Sequence, residues 1–184
     1  MARLDIPQSV SDAPEESQST LDVVGKRLGF VPNVHRLLGL SPNALAGFMQ
    51  LQTALNKTLD AATRDSVSLA VSQANGCRYC VGAHGYTAAR FNGFSEGEIA
   101  LAREGKSSDP RRQAAATFAR RLIETRGQVS DDDLRAVRDA GYSDRNIVEV
   151  VALSAQFLLT NFLNNVADTE IDFPEPANLP ERSL

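Results

Sequence analysis

The chain has 184 residues, of which 42% are hydrophobic and 23% are charged, as expected of one globular domain with its own core. Its net charge of −4 at pH 7 excludes the broad basic surface on which nucleic-acid-binding proteins depend. Neither a secretory signal nor a run of roughly 20 apolar residues, the length of a membrane span, is evident. We therefore expect a cytoplasmic protein that binds neither nucleic acid nor a membrane.

Helix start and stop signals recur along the chain and predict an all-α fold. A serine or an aspartate precedes most predicted helices, where its side chain caps free backbone N–H groups. No stretch shows the sustained alternation of apolar and polar residues that marks strands. The predicted helices span residues 42–56, 61–73, 77–92, 95–105, 109–123, 130–137 and 147–166.

The two ends differ in composition from the helical region. Residues 8–19 are rich in Ser, Pro, Asp and Glu, and the last residues are rich in proline. Such segments pack loosely unless another subunit holds them. We expect a flexible N-terminal segment at 1–19, one helical domain at 20–174 and a flexible tail at 175–184.

Two thiols and one of only two histidines lie within two helical turns, at Cys77, Cys80 and His84. Side chains three or four residues apart on a helix are neighbours, so Cys80 reaches both of the others. An imidazole and the helix N-terminus both favour a thiolate, which makes Cys80 the preferred nucleophile. Cys77 would resolve the resulting sulfenic acid as a disulfide. The reverse assignment, with Cys77 attacking first as in thioredoxin-type sites, remains an alternative.

Asp65 is a candidate for moving protons at this site. It precedes Cys77 by twelve residues on the previous predicted helix, and antiparallel packing of the two helices would bring its carboxylate towards the thiols or His84. The alternative is a solvated charge that pairs with Arg64 or Lys57.

The spacing of Asp65, Cys77, Cys80 and His84 resembles the AhpD-like, carboxymuconolactone decarboxylase superfamily, whose alkylhydroperoxidases use Glu, Cys, Cys and His. Three segments outside the motif are similar to its peroxidase-related branch. They are Phe30-Val31-Pro32-Asn33-Val34, Ser41-Pro42-Asn43-Ala44 and residues 161–174, which end in Asp172-Phe173-Pro174. The resemblance extends over residues 20–174. This chain departs from the motif in having Asp65 in place of Glu, and from the founding type in having Tyr79 in place of a histidine.

The resemblance implies an AhpD-like single domain of about eight helices that assembles into trimers or hexamers. It implies a peroxidase that reduces hydroperoxides and is itself reduced by a thiol or dithiol partner, without a cofactor or a metal. Cys80 is then peroxidatic, Cys77 resolving, His84 the adjacent base and Asp65 an orienting or proton-relaying group.

Other functions are open on the sequence alone. The dithiol would equally serve a protein dithiol–disulfide oxidoreductase, or a non-enzymatic oligomeric module for redox sensing or binding. Decarboxylation of a lactone requires no dithiol and ranks below these. The same four residues also form a nominal zinc set, and both cysteines would suit a purely structural core.

Two further points concern residues outside the motif. His35 has no thiol or acid cluster nearby in sequence, so we interpret it as structural or exposed. Periodicity does not decide whether several apolar side chains of the long helices belong to the core or to a subunit interface. These are Leu51, Leu55, Val67, Val71, Phe157 and Phe162.

Overall fold

The computed structural model describes residues 2–173, and every regular element within that range is helical. The chain begins with a 3-10 turn at Val10–Asp12. The α-helices are α1 (Glu15–Leu28), α2 (Asn33–Leu38), α3 (Pro42–Leu55), α4 (Ala61–Ala74), α5 (Arg78–Asn92), α6 (Glu96–Arg103), α7 (Pro110–Glu124), α8 (Asp131–Asp139) and α9 (Asp144–Ala167). The predicted all-α fold is confirmed, and the predicted tail at 175–184 lies outside the described residues.

Side-chain caps set the beginnings of helices α3, α4 and α6 to α9. In each of these helices the capping oxygen accepts a hydrogen bond from a backbone N–H in the first turn, which would otherwise lack a partner. All six caps are serines or aspartates, the residue types that the sequence predicts at helix starts. They are Ser41, Asp60, Ser95, Asp109, Ser130 and Ser143.

The N-terminal region contains two helices that lie outside the predicted helix spans, α1 and α2. The domain boundary predicted at residue 20 falls inside α1, which begins at Glu15. This helix buries Leu21 against Leu38 and Leu45 in a second core cluster, and the Ser17 hydroxyl donates a 2.8 Å hydrogen bond to the Gly39 carbonyl. Burial of its apolar side therefore holds α1 to the rest of the domain.

Helix α4 runs through the centre of the domain and packs against α5, α6, α7 and α9. Of the apolar residues left undecided by periodicity, Leu55, Val67 and Val71 are buried and Phe157 packs against them. Leu51 and Phe162 are exposed by 39% and 56%.

Helix α9 is apolar on more than one side. Its length and mean hydropathy of 1.4 meet the criteria for a membrane span, yet one side is built into the core through Val150 and Leu153, as in many core helices. The opposite side is exposed and includes Val148, Val151, Leu159, Phe162 and Val166.

Candidate active site

The turn between α4 and α5 fixes the position of the two thiols. Gly76 adopts a positive φ of 62°, a conformation that glycine accepts without strain. Two hydrogen bonds tie the turn to α9: Asn75 Nδ2 donates to Asn161 Oδ1 at 3.0 Å, and Asn165 Nδ2 donates to the Asn75 carbonyl at 3.1 Å. The chain therefore enters α5 at a fixed angle, directly at Cys77.

Cys77 caps α5, and Cys80 lies one turn further along. The Cys80 backbone N–H donates to Cys77 Sγ at 3.3 Å, so the two residues are in direct contact. Asn164 on α9 donates from Nδ2 to Cys80 Sγ, also at 3.3 Å. Both cysteines are free thiols, with 0% and 3% of their surface exposed.

The two thiols differ in pKa because their surroundings differ. Burial opposes ionisation of Cys80, but hydrogen bonds from four side chains outweigh it and lower the pKa of the thiol. The hydrogen bond to Cys80, together with burial, raises the pKa of Cys77, because its proton is shared with the Cys80 sulfur. The surroundings therefore favour ionisation of Cys80 over ionisation of Cys77. The four side chains are Cys77, Thr160, Asn161 and Asn164.

A cavity of about 650 Å³ borders the site. Cys80, His84 and Asp65 all lie on its wall, so the structure brings three of the four predicted residues to one space. Cys77 is fully buried and is not among the described residues that line the cavity. A small molecule in the cavity therefore meets Cys80 and not Cys77.

His84 is a neutral imidazole at physiological pH. Burial lowers its pKa to about 4, and its ring packs edge-on against Phe157 with centroids 5.0 Å apart. It can pass a proton on, but it is a weak base for removing one.

Asp65 is a half-buried carboxylate on the cavity wall. Burial raises its pKa to about 6, while a hydrogen bond from Asn92 and the charge of Arg64 act in the opposite direction. Asn92 Nδ2 donates to Asp65 Oδ2 at 2.5 Å. Asp65 is therefore a stronger base than His84 and is ionised at neutral pH.

Tyr79 joins the two segments whose sequence resembles the peroxidase-related branch. Its hydroxyl donates to Asp172 Oδ1 at 2.8 Å and accepts from the Val34 N–H at 3.2 Å. The ring packs edge-on against Phe173, with centroids 5.8 Å apart. Tyr79 thus ties the segment after α9 to α2, beside the thiols.

Several residues at the site were not foreseen. Thr160, Asn161 and Asn164 of α9 surround Cys80, and Asn92 holds Asp65. The α9 residues carried a signal, because polar side chains spaced four apart in an apolar helix share one face. His35, which the sequence leaves as structural or exposed, lines the cavity, and burial lowers its pKa to about 4. It makes an edge-on contact with Phe48.

The nominal zinc set is not assembled. Within residues 2–173 the structure contains no group of three or more His, Cys, Asp or Glu side chains arranged to hold a metal ion. The contacts of Cys80 are instead with amide, hydroxyl and thiol groups that stabilise an anion.

We expect Asn164→Ala to make the Cys80 thiolate less available. Loss of one hydrogen bond, with a net free energy of about 0.5–1.5 kcal/mol, corresponds to a roughly two- to tenfold slower alkylation near neutral pH. The measurement is the rate of iodoacetamide alkylation against pH, whose midpoint should move upward. Asn165→Ala is the matched control, because Asn165 donates to the Asn75 carbonyl. Identical profiles for both variants and the unmodified protein would show that Asn164 does not stabilise the thiolate.

Comparison with known proteins places this site in a family. The profile of the carboxymuconolactone decarboxylase family matches residues 42–124, which include all four predicted site residues. The chain contains a carboxymuconolactone decarboxylase family domain. A search of the curated proteins gave no significant match.

Solved structures agree with this assignment. A peroxidase-related protein from Ralstonia eutropha JMP134, described as an alkylhydroperoxidase AhpD core, is 26% identical, with a TM-score of 0.82 over 93% of this chain and 92% of that one. A peroxidase-related protein from Silicibacter sp. TM1040 is 22% identical, with a TM-score of 0.82 over 97% and 95%. The debrominase Bmp8 is 23% identical, with a TM-score of 0.76 over 92% of each chain. The resemblance to the AhpD-like superfamily and its peroxidase-related branch is confirmed.

Proposed function

We propose that this carboxymuconolactone decarboxylase family protein is a thiol-dependent peroxidase that reduces hydroperoxides at Cys80. The observation that carries the proposal is the asymmetry of the dithiol. Cys80 has the lowered pKa and borders the cavity, whereas Cys77 is protonated, fully buried and in hydrogen-bond contact with it. This is the arrangement required of a peroxidatic and a resolving thiol.

The proposed reaction has three steps. The Cys80 thiolate attacks the terminal oxygen of a hydroperoxide, the O–O bond breaks, and the products are Cys80 sulfenic acid and an alkoxide, which takes up a proton to leave as the alcohol. Cys77 then attacks the sulfenic sulfur and releases water, and a disulfide forms between Cys77 and Cys80. An external thiol or dithiol supplies two electrons and two protons and restores both thiols.

Asp65 and His84 divide the proton transfers according to their basicity. With a pKa of about 6, Asp65 accepts the proton that Cys80 loses, while His84, with a pKa of about 4, stays neutral and passes the proton to the alkoxide. Asp65 thereby takes the place of the glutamate that the family motif usually has.

The same dithiol would support a second reaction on a small molecule, reductive removal of a halogen. Debrominase Bmp8 shares the fold, and the cavity has room for an aromatic ring. A thiolate that took bromine from carbon would give a sulfenyl bromide and a carbanion, which takes up a proton. Attack by the Cys77 thiol on the sulfenyl bromide would then form the disulfide and release bromide and a proton. Exchange with a folded protein's disulfide is less well supported, because only 3% of Cys80 is exposed.

Steady-state turnover tests the proposal. With excess dithiothreitol or dihydrolipoamide as the reductant, consumption of cumene hydroperoxide should be catalytic and proportional to protein concentration, and bromide release from a bromopyrrole should be much slower. Peroxide consumption no faster than with reductant alone would overturn the proposal. Faster bromide release would favour the second reaction.

We also propose that the protein forms a homo-oligomer. The exposed apolar side of α9, which includes Leu159, Phe162 and Val166, supports burial against another subunit. Light scattering coupled to gel filtration should give three or six times the subunit mass of 19.9 kDa. A single subunit mass at micromolar concentration would contradict it.

A further inference from the structure

A short segment after α9, residues 169–173, lies across the start of α5. We call this segment the strap. It contains neither helix nor strand. Ile171 and Phe173 of the strap pack against the buried cluster that contains Cys77 and Cys80. The strap is therefore in direct contact with the part of the chain that carries both thiols.

Asp172 makes two hydrogen bonds that hold the strap to the domain. Its Oδ1 accepts from the Tyr79 hydroxyl at 2.8 Å, and its Oδ2 accepts from the Asn33 backbone N–H at 2.6 Å. Asn33 begins α2, which has no side-chain cap of its own. Asn33 Nδ2 also donates to the Glu170 carbonyl at 2.9 Å. Because the strap is neither helix nor strand, it can open locally while the helices stay folded.

Phe173 adds an apolar contact to these hydrogen bonds. Its ring lies 5.4 Å from that of Phe30, 5.8 Å from that of Tyr79 and 5.7 Å from that of Tyr86, measured between centroids. Aromatic pairs at such distances stabilise a contact beyond the area that they bury. Phe173 also lines the cavity. In this structure the strap is thus closed over the dithiol and forms part of the cavity wall.

The strap covers the sulfur that a reductant should attack. Thiol–disulfide exchange is faster when the leaving thiol has the lower pKa. Since the pKa of Cys80 is lowered and that of Cys77 is raised, Cys80 is the better leaving group and Cys77 is the sulfur to attack. Cys77 is, however, 0% exposed and is not among the described residues that line the cavity. With the strap closed, Cys77 is therefore shielded from a reductant.

We propose that the strap is a lid over Cys77, that Asp172 is its latch, and that a dithiol reductant attacks Cys77 when the lid opens. The reductant's thiolate forms a mixed disulfide with Cys77, and the bond between Cys77 and Cys80 breaks with its electron pair on the Cys80 sulfur. The reductant's second thiol then attacks the mixed disulfide and releases Cys77. The reductant leaves as its own disulfide, and its two protons pass to the cysteine pair.

Asp172 is a positioning residue in this proposal, because it acts through the strap and not on the reacting atoms. The role of the lid in reduction rests on the proposed function. Shielding of Cys77 by the lid does not, since it follows from the packing of the strap alone. The two parts therefore have separate tests.

Alkylation of Cys77 tests the lid without peroxide. Full-length Cys80→Ser protein is treated with iodoacetamide at a fixed pH, and mass spectrometry follows the modification of Cys77, which should be slow. Adding Asp172→Ala removes two hydrogen bonds to a carboxylate and should raise the rate by about tenfold or more. Asp109→Ala is the matched control and should leave the rate unchanged, because Asp109 also accepts a backbone N–H at a helix start, on α7.

The same increase in both variants, or an increase in neither, would overturn the lid. Tyr79→Phe is a milder variant that keeps the ring and removes one of the two hydrogen bonds to Asp172. It should give a smaller increase in alkylation, and it replaces Asp172→Ala if that variant does not fold.

Reduction of a disulfide made with diamide tests attack at Cys77. Diamide oxidises the two thiols without peroxide, and dithiothreitol then reduces the disulfide. Asp172→Ala should speed this reduction by about tenfold, and Asp109→Ala should not. Faster alkylation with an unchanged rate of reduction would overturn attack at Cys77. Neither rate depends on peroxide, so failure of the peroxidase proposal is distinguishable from failure of the lid.

Discussion

Cys80→Ser should lower the rate of peroxide reduction by at least about a thousandfold, because the serine hydroxyl is not ionised where the thiolate acts. Cys77→Ser should have a different effect, because it removes only the second step of the reaction. Cys80 remains on the cavity wall and still reacts once, but no thiol follows to release water from the sulfenic acid. Turnover should stop after one equivalent of peroxide, and excess peroxide should drive Cys80 to sulfinic acid.

Each cysteine variant is the control for the other. Trapping of sulfenic acid with dimedone, followed by peptide mass spectrometry, should label Cys80 in Cys77→Ser and leave Cys77 unlabelled in Cys80→Ser. Rapid labelling of Cys77 in Cys80→Ser would reverse the assignment in favour of the thioredoxin-type alternative. That result would also contradict the raised pKa of Cys77 and its burial.

Asp65→Asn should slow peroxide reduction by about tenfold to a hundredfold, the usual contribution of a general acid–base group. The pH profile identifies the group. The carboxylate accepts protons only when ionised, so kcat/KM should fall as the pH drops through the Asp65 pKa of about 6. In Asp65→Asn the fall near pH 6 should be absent. A limb caused by His84 would lie near its pKa of about 4 instead.

Two further variants, Asn92→Ala and Asp65→Glu, test whether Asp65 causes the acidic limb of the pH profile. The Asn92 hydrogen bond lowers the pKa of Asp65, so its removal should move the acidic limb to higher pH. Asp65→Glu restores the residue usual in the family and should retain activity. If kcat/KM and its pH profile are the same in Asp65→Asn as in the unmodified protein, Asp65 moves no proton.

Local chemistry explains how much of the fold was predictable. Capping by residues such as Ser41, Asp60 and Asp109 is decided within one turn, so these helix starts follow from the sequence alone. Helix α1 follows Pro14 and has no side-chain cap. Its position depends on burial of Leu21 against α2 and α3, a contact that no local pattern encodes.

The site residues also differ in whether the sequence alone can relate them to one another. Cys77, Cys80 and His84 lie on one continuous segment, and their spacing alone relates them. The prediction that Asp65 belongs to the site depended on how two helices pack. Its hydrogen-bond partner Asn92 lies at the far end of α5. Asn164 stabilises Cys80 from a position 84 residues away, so only the fold brings them together.

Titration of the fully reduced, metal-free protein with peroxide tests the central claim most directly. Hydrogen peroxide and cumene hydroperoxide are added in substoichiometric steps, and intact-protein mass spectrometry follows thiol loss and disulfide formation. We predict loss of both thiols per equivalent of peroxide, with one disulfide between Cys77 and Cys80 and faster reaction for the organic hydroperoxide. Thiols that remain reduced under excess peroxide would contradict a peroxidatic role for Cys80.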